Sequence, residues 1–447
     1  MADSTVVSDL GVFTRDQVEM LSARKAEPGW LREQRLAAHE SFAGAPMPDT
    51  RSEEWRYTPI ADLLKLEALE LAEESRPVAA VADLPFRLRE LAEDAGEGSA
   101  RLVQVGASVV MRELDEELRA RGVLFLSLDQ AVQEHPELVQ RHLGTAVNGN
   151  EGKFAAMNTA FWTGGTFLYV PKDVKVELPL RSFRWLAGEK GAAFGRTLIV
   201  AEPFSEIALV DELSSGDFAE QTFSNGGVEI FAGEGARVTY VAVQRYGDKV
   251  LHLSTERAVA GRDARITTLS VTLGSSVARV DARCRMAAPG AHVDLLGLYI
   301  AEGKQHFDHE TLQDHVAPHA SSNLLFKGAL LDQSRSVFRG LIRVHAGAQR
   351  TDAYQTNRNL ILSNEARADS LPNLEIAADD VRCSHAATVG QLDEEEIFYL
   401  QSRGIDKKEA MRLVIFGFFG EVLSQLELEE VRGELVRAIE AKLHVRA

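Results

Sequence analysis

The sequence predicts a mainly β fold with α parts, in which a β solenoid sits between two helical regions, and three observations carry that expectation. From about residue 153, β-branched and apolar runs of four to eight residues are punctuated by Gly, Asn, Asp and Pro, the texture of strands and turns. Inside this stretch a small residue followed by an apolar run recurs at Ala208, Ala236, Ala264, Ala291, Ala320 and Ala348, with spacings of 28, 28, 27, 29 and 28. Both ends of the chain instead carry mixed charged and apolar sequence suited to helices. A near-constant period without helical periodicity argues for stacked coils, because one coil cannot bury its own inward face. Chance spacing of short, degenerate units is the competing reading.

The organisation expected is a mostly helical α+β region over residues 1–150, the solenoid over 151–391 and a helical region over 392–447. In the first region, 30–43 and the acidic run 64–74 read as helical. The apolar runs 102–105 and 123–128 read as strands, and the Pro- and Arg-bearing break 45–58 as extended or turn. In the last, DEEEIFYLQSRG opens with acids and closes on Arg403 and Gly404, a basic last turn and a glycine cap. Asp406 then starts a D-x-x-E capping box with Glu409. The following segment 413–423 is apolar around most of its circumference, so its own domain or another chain must cover it.

Composition narrows the function. At 447 residues, 45% hydrophobic and 26% charged, the chain is a folded protein of more than one ordinary core. A net charge of −18 repels nucleic acid and anionic membrane. Two cysteines, Cys284 and Cys383, can make neither a disulfide framework nor the four thiolates of an iron–sulfur site. The amino terminus has early acids and no apolar core, and no window reaches 18 apolar residues, so a cytoplasmic protein is expected. Gly191 to Thr197 (GAAFGRT) is the nearest approach to a phosphate loop, but it has three residues between its glycines and Arg in place of Lys. Neither G-x-G-x-x-G nor G-x-S-x-G occurs, so any ATP hydrolysis would belong to a partner.

Two groups of residues invite a metal. His306, His309, His315 and His319 crowd into one stretch, although on a strand His306 and His309 would face opposite ways, and the alternative is that they are polar residues of coil edges and turns. Cys383 and His385, two apart, would share one face of a strand and present thiol and imidazole together. The alternative there is a buried cysteine beside a hydrogen-bonded histidine.

Three long blocks, KFAAMNTAFWTGGTFLYVPKDVKVELPL, GAQRTDAYQTNRNLILS and DDVRCSHAATVGQLDEEEIFYLQSRGI, resemble in order the SufB/SufD family of iron–sulfur cluster assembly proteins, and RSEEWRYTPI is similar to an N-terminal signature of the same family. The chain resembles the shorter, cysteine-poor paralogue: it has Cys383-Ser384-His385 where the other carries a glutamate-histidine pair, and SNEARADSLPNLEI lacks that paralogue's cysteine. The resemblance implies a right-handed parallel β-helix between helical domains. It also implies a non-catalytic subunit of a complex with a SufB-like paralogue and SufC, an ABC-type ATPase, with a homodimer when the paralogue is absent. His385, with Cys383 beside it, would then be a ligand of iron or of a nascent cluster held transiently at the paralogue interface, with no cofactor bound stably by this chain alone. The apolar helix residues Val414, Ile415, Phe416, Phe418 and Phe419 are expected to dock the ATPase, and removing residues from 406 onward to abolish that docking while leaving the β core folded. A β-helix carbohydrate-active enzyme and a purely structural solenoid are the alternatives, and an aromatic content of 7% speaks against a sugar groove.

Overall fold

The computed structural model describes residues 10–71, 84–93 and 100–444. Residues 1–9 of the amino-terminal reading and 72–74 of the acidic run lie outside the described residues. From residue 165 to 391 the chain winds through parallel coils, each contributing one strand to each of two sheets. Sheet 1 runs from Gly165–Val170 to Arg367–Ile376, and sheet 2 from Leu180–Leu186 to Arg382–Gln391. The antiparallel strands Arg101–Val105 and Ser108–Glu113 close sheet 2 at its first end, and Leu124–Ser127 closes sheet 1.

The repeat seen in the sequence is a physical ladder over four of its six members. The backbone N–H of Arg265 donates to the Ala236 carbonyl at 2.8 Å, His292 to Ala264 at 2.9 Å, Ser321 to Ala291 at 2.9 Å and Asp352 to Ala320 at 3.1 Å. Ala208 and Ala348 do not belong to it. Their level is taken by Ser205 and Thr351, whose carbonyls accept from Arg237 and Arg382. Both hydroxyls turn back onto a carbonyl three residues earlier, so a small polar residue closes the same turn that alanine closes elsewhere. Ala236, Ala264, Ala291 and Ala320 are all buried.

Helices Arg15–Arg24, Gly29–Gly44 and Lys153–Phe161 bury Val18, Leu31, Phe42, Phe154 and Phe161 against Phe194, Leu198, Phe223 and Leu251 on the outer face of sheet 1. A fully buried pair, Arg196 and Glu229 at 2.7 Å, ties that face down, with Glu229 also accepting from the backbone N–H groups of Gly144, Ala146 and Val147. Residues 51–60 form a strap further along: the Trp55 ring lies 4.2 Å from the Arg279 guanidinium, Thr58 donates to Asp308 at 2.5 Å, and Glu53 pairs with Arg339 at 3.0 Å. The helical reading of 64–74 fails over its described residues, 64–71. Residues Leu66–Ala68 make a 3-10 turn and Glu70–Leu71 pair with sheet 1, with Leu64, Leu66 and Leu69 all turned inward to the core. A segment laid along a sheet buries residues as local contacts allow, and composition alone does not separate it from a helix.

Helices Glu394–Ser402, Lys407–Ser424 and Glu429–His444 end the chain. Asp406 caps the second, accepting from the N–H groups of Lys408 and Glu409, and Gly404 takes the left-handed conformation at φ +88°. Ile415, Phe419, Val422, Leu423 and Ile439 cover Val241, Leu269, Val271, Leu296, Leu298 and Ile300 on the outer face of sheet 2. Sheet 2 is thus apolar on both faces, and these helices keep its outer face from water. Among the described residues no helix is long and apolar enough to cross a membrane.

Candidate functional site

The last coil is where the fold leaves chemistry uncovered. Strands Arg367–Ile376 and Arg382–Gln391 end their sheets, each with a neighbour on one side. Register pairs Ala353 with Cys383, Gln355 with His385 and Asn357 with Ala387. The first member of each pair is buried in the solenoid interior, so the second shares that inward face. No further coil covers it: His385 is exposed, Cys383 half-buried, and Val389 is 47% exposed. Both strands also present an open edge of backbone donors and acceptors, the kind that pairs with another chain.

The sequence placed Cys383 and His385 on one face, and the structure does so. Cys383 packs against Ile342, Val344, Ala353 and Ala378, and burial raises its thiol pKa. His385 makes no side-chain hydrogen bond among the described residues. No three His, Cys, Asp or Glu side chains gather to hold a metal ion among the described residues. The end of the solenoid thus offers a soft sulfur donor and a borderline nitrogen donor, fewer ligands than iron takes. A thiolate is needed for ligation, and burial of Cys383 disfavours that form.

The four histidines upstream do not converge. His306 faces outward under the strap, 2.8 Å from the Thr58 hydroxyl. His309 and His315 face inward, His309 stacked on Tyr299 at 4.6 Å and 3.2 Å from the Thr272 hydroxyl, His315 at 2.8 Å from that of Ser322. Burial lowers both imidazoles to about 4, so they are neutral. At roughly 3.3 Å per residue their Cα atoms are about 20 Å apart along the strand. His319 sits in a turn at φ +59°. Placement on edges and turns thus fits His319, whereas His309 and His315 occupy the interior, which an apolar-inside rule does not foresee.

A second polar interior lies near the first coils and was not found from sequence. Arg184 pairs with Asp211 at 2.5 Å, Tyr240 donates to Asp211 at 3.1 Å, and His252 lies 3.1 Å from Ser224. Ser254 donates to Glu256 at 3.0 Å, and burial pushes the Glu256 carboxyl up to about 7. The signal was Asp211 in the run IALVDELSS, whose alternation points it inward with Ile207 and Leu209. The folded chain keeps a proton on Glu256 that the unfolded chain, titrating near 4.5, gives up. Its stabilisation is complete below pH 4.5 and is lost as pH rises to about 7, at about 1.4 kcal/mol per unit of separation. Glu256→Gln is expected to remove this decline, so that the urea midpoint of the variant gains on the parent between pH 4.5 and 7; parallel midpoint curves would refute it.

The apolar helix run divides between inside and outside. Ile415 and Phe419 are buried against sheet 2 and are not available to another chain, a correction to their expected docking role. Val414, Phe416 and Phe418 are half-buried. The exposed apolar residues lie alongside: Phe398 (71%) and Tyr399 (57%) on helix Glu394–Ser402, and Leu413 on the next. The signal for Phe398 and Tyr399 was an aromatic pair on a helix with a buried Ile397 beside it, which turns the pair away from the core.

Comparison with known proteins supplies the rest. The family described as "SUF system FeS cluster assembly, SufBD core domain" matches residues 183–418, and that described as "SufBD protein N-terminal region" matches 12–181. The chain is 31% identical over 434 residues to the iron–sulfur cluster assembly protein SufD of Bacillus subtilis, covering 96% of this chain and 98% of that one. It is 36% identical over 338 residues to a SufBD-family iron–sulfur cluster assembly protein of Mycobacterium leprae, 73% of this chain and 84% of that one. To SufB of Bacillus subtilis it is 28% identical over 428 residues, 93% of this chain and 90% of that one.

Proposed function

The chain belongs to the SufB/SufD family of iron–sulfur cluster assembly proteins, and from that membership we propose that it takes the SufD place in a cytoplasmic SufBCD-type complex. In this reading the chain is a non-catalytic subunit. It joins a SufB-like paralogue through the open end of the solenoid and helps iron enter a nascent cluster there, while SufC hydrolyses ATP. The observation that carries the reading is the uncovered last coil, where Cys383 and His385 stand on a face every earlier coil buries. Iron or the growing cluster is cargo, held by an incomplete ligand set that the paralogue completes and that lets the product leave. Without the paralogue, the same two edges suit a second copy of this chain.

Anaerobic reconstitution of the chain alone and with its paralogue and ATPase, followed by absorption and Mössbauer spectroscopy, tests this. Cluster signals are expected from the complex and not from the chain alone. A stable cluster on the isolated chain, or a complex that forms without the last coil, would overturn it.

For the ATPase, the supporting observation is the exposed surface of Phe398, Tyr399 and Leu413, flanked by Val414, Phe416 and Phe418. Aromatic residues at the centre of an interface cost about 2 kcal/mol or more when lost. Phe398→Asp is expected to weaken ATPase binding at least 10-fold by calorimetry with little change in melting temperature, as the residue is 71% exposed. Unchanged affinity would move the docking site elsewhere.

A further inference from the structure

We infer that Gln355 orients the His385 imidazole, an inference that rests on the reading of His385 as an iron ligand. Gln355 is the register partner of His385 on the adjoining strand of sheet 2. Side chains of such partners stand on one face at the strand spacing of about 4.8 Å. Gln355 is fully buried at 0% exposure, yet neither the oxygen nor the nitrogen of its amide has a hydrogen-bond partner among the described residues. A buried amide unpaired at both ends is costly and uncommon, and its retention asks for a reason.

The surroundings make room for this amide and place few free polar groups beside it. Gly340 faces it from sheet 1, and a Cβ there would lie 2.5 Å from the amide nitrogen and 2.6 Å from the oxygen. On the preceding coil of sheet 2 the register partner of Gln355 is Leu324, and beyond Gly340 in sheet 1 stands Pro372, which has no N–H to give. Asn357, next on the same face, is already engaged with Ser370 and Asn359. Thr311, the register partner of Gly340 on the preceding coil, also keeps a buried hydroxyl without a partner, and toward the open end the register neighbour is His385.

The chemistry fits that neighbour. An imidazole that ligates metal through one nitrogen carries its proton on the other, and an acceptor for that N–H fixes both tautomer and ring plane. The Gln355 oxygen is such an acceptor. It is held in the rigid interior, whereas His385 stands on the open edge with no side-chain hydrogen bond among the described residues. Covering the end of the solenoid removes the water that otherwise satisfies the ring and leaves the amide to hold it. Gln355 is thus a positioning residue that acts through His385.

The test uses the full chain in complex with its SufB-like paralogue, comparing Gln355→Leu, Gln355→Glu and His385→Ala. The readouts are the His385 ring nitrogen shifts in histidine-labelled protein, anaerobic Fe(II) binding and melting temperature. For Gln355→Leu the expectation is an equal or higher melting temperature, ring shifts that move from one tautomer to a mixture, and Fe(II) affinity lowered about 10- to 100-fold, the usual cost of losing such a partner. Gln355→Glu, which keeps an acceptor, is expected to restore a single tautomer and most of the affinity. Unchanged ring shifts and affinity in Gln355→Leu, with His385→Ala defective, overturn this inference alone. Normal Fe(II) binding by His385→Ala overturns the ligand reading and this inference with it. A fall in melting temperature of Gln355→Leu that accounts for the lost binding assigns Gln355 a structural role and also overturns it.

Discussion

Replacing His385 with alanine is expected to abolish cluster assembly in cells while leaving the fold and the complex intact. The structure separates the two roles a histidine can play there. A histidine that holds the β-helix end together by a buried hydrogen bond would cost roughly 1–3 kcal/mol when removed. His385 is exposed and makes no side-chain hydrogen bond among the described residues, so its loss falls with ordinary surface substitutions, within about 0.5 kcal/mol. Its place beside Cys383 on a face without a covering coil is the observation on which the proposed ligand role rests. The measurement pairs a melting curve and copurification with the paralogue against complementation of a strain lacking the gene. Full complementation would defeat the ligand role, and a melting temperature lowered by several degrees would show a structural one.

Much of this was legible because period and alternation are local properties. The near-28-residue spacing revealed coils, since stacking forces equivalent turns into register, and it misplaced Ala208 and Ala348 because Ser205 and Thr351 close the turn equally well. The i, i+2 pairing of Cys383 with His385 followed from strand geometry alone. What strand geometry could not show was that theirs is the final coil, and this depends on where pairing stops. The inward positions of His309, His315 and Gln355 were hidden for another reason. A solenoid interior is expected to be apolar, and polar residues on the inward parity are then read as edges. The capping of helix Lys407–Ser424 was plain in the sequence, whereas the division of its apolar run between Ile415 and Phe419 inside and Leu413 outside needed the sheet it lies on.

Truncation before residue 406 is expected to yield aggregated protein and not a soluble β core. Helices Lys407–Ser424 and Glu429–His444 cover Val210, Val241, Val243, Leu269, Val271, Leu296, Leu298, Ile300 and Leu325 on the outer face of sheet 2. Burying one such side chain contributes about 1.5 kcal/mol or more. Even half of the resulting sum, roughly 7 kcal/mol, rivals the 5–15 kcal/mol by which domains are usually stable. The uncovered residues would moreover form one contiguous apolar band across neighbouring strands, larger than soluble monomers expose. Loss of ATPase binding by such a fragment would therefore say nothing about docking, because a chain that aggregates binds no partner specifically. Phe398→Asp escapes this, since the ring it removes is 71% exposed, whereas Phe419→Ala does not, since it opens a cavity at a cost of about 3–5 kcal/mol. Sedimentation of the truncated chain decides the matter: a monomer with the parent's strand content and melting temperature would mean that the solenoid stands without its helices, and that sheet 2 tolerates water on a face the structure keeps dry.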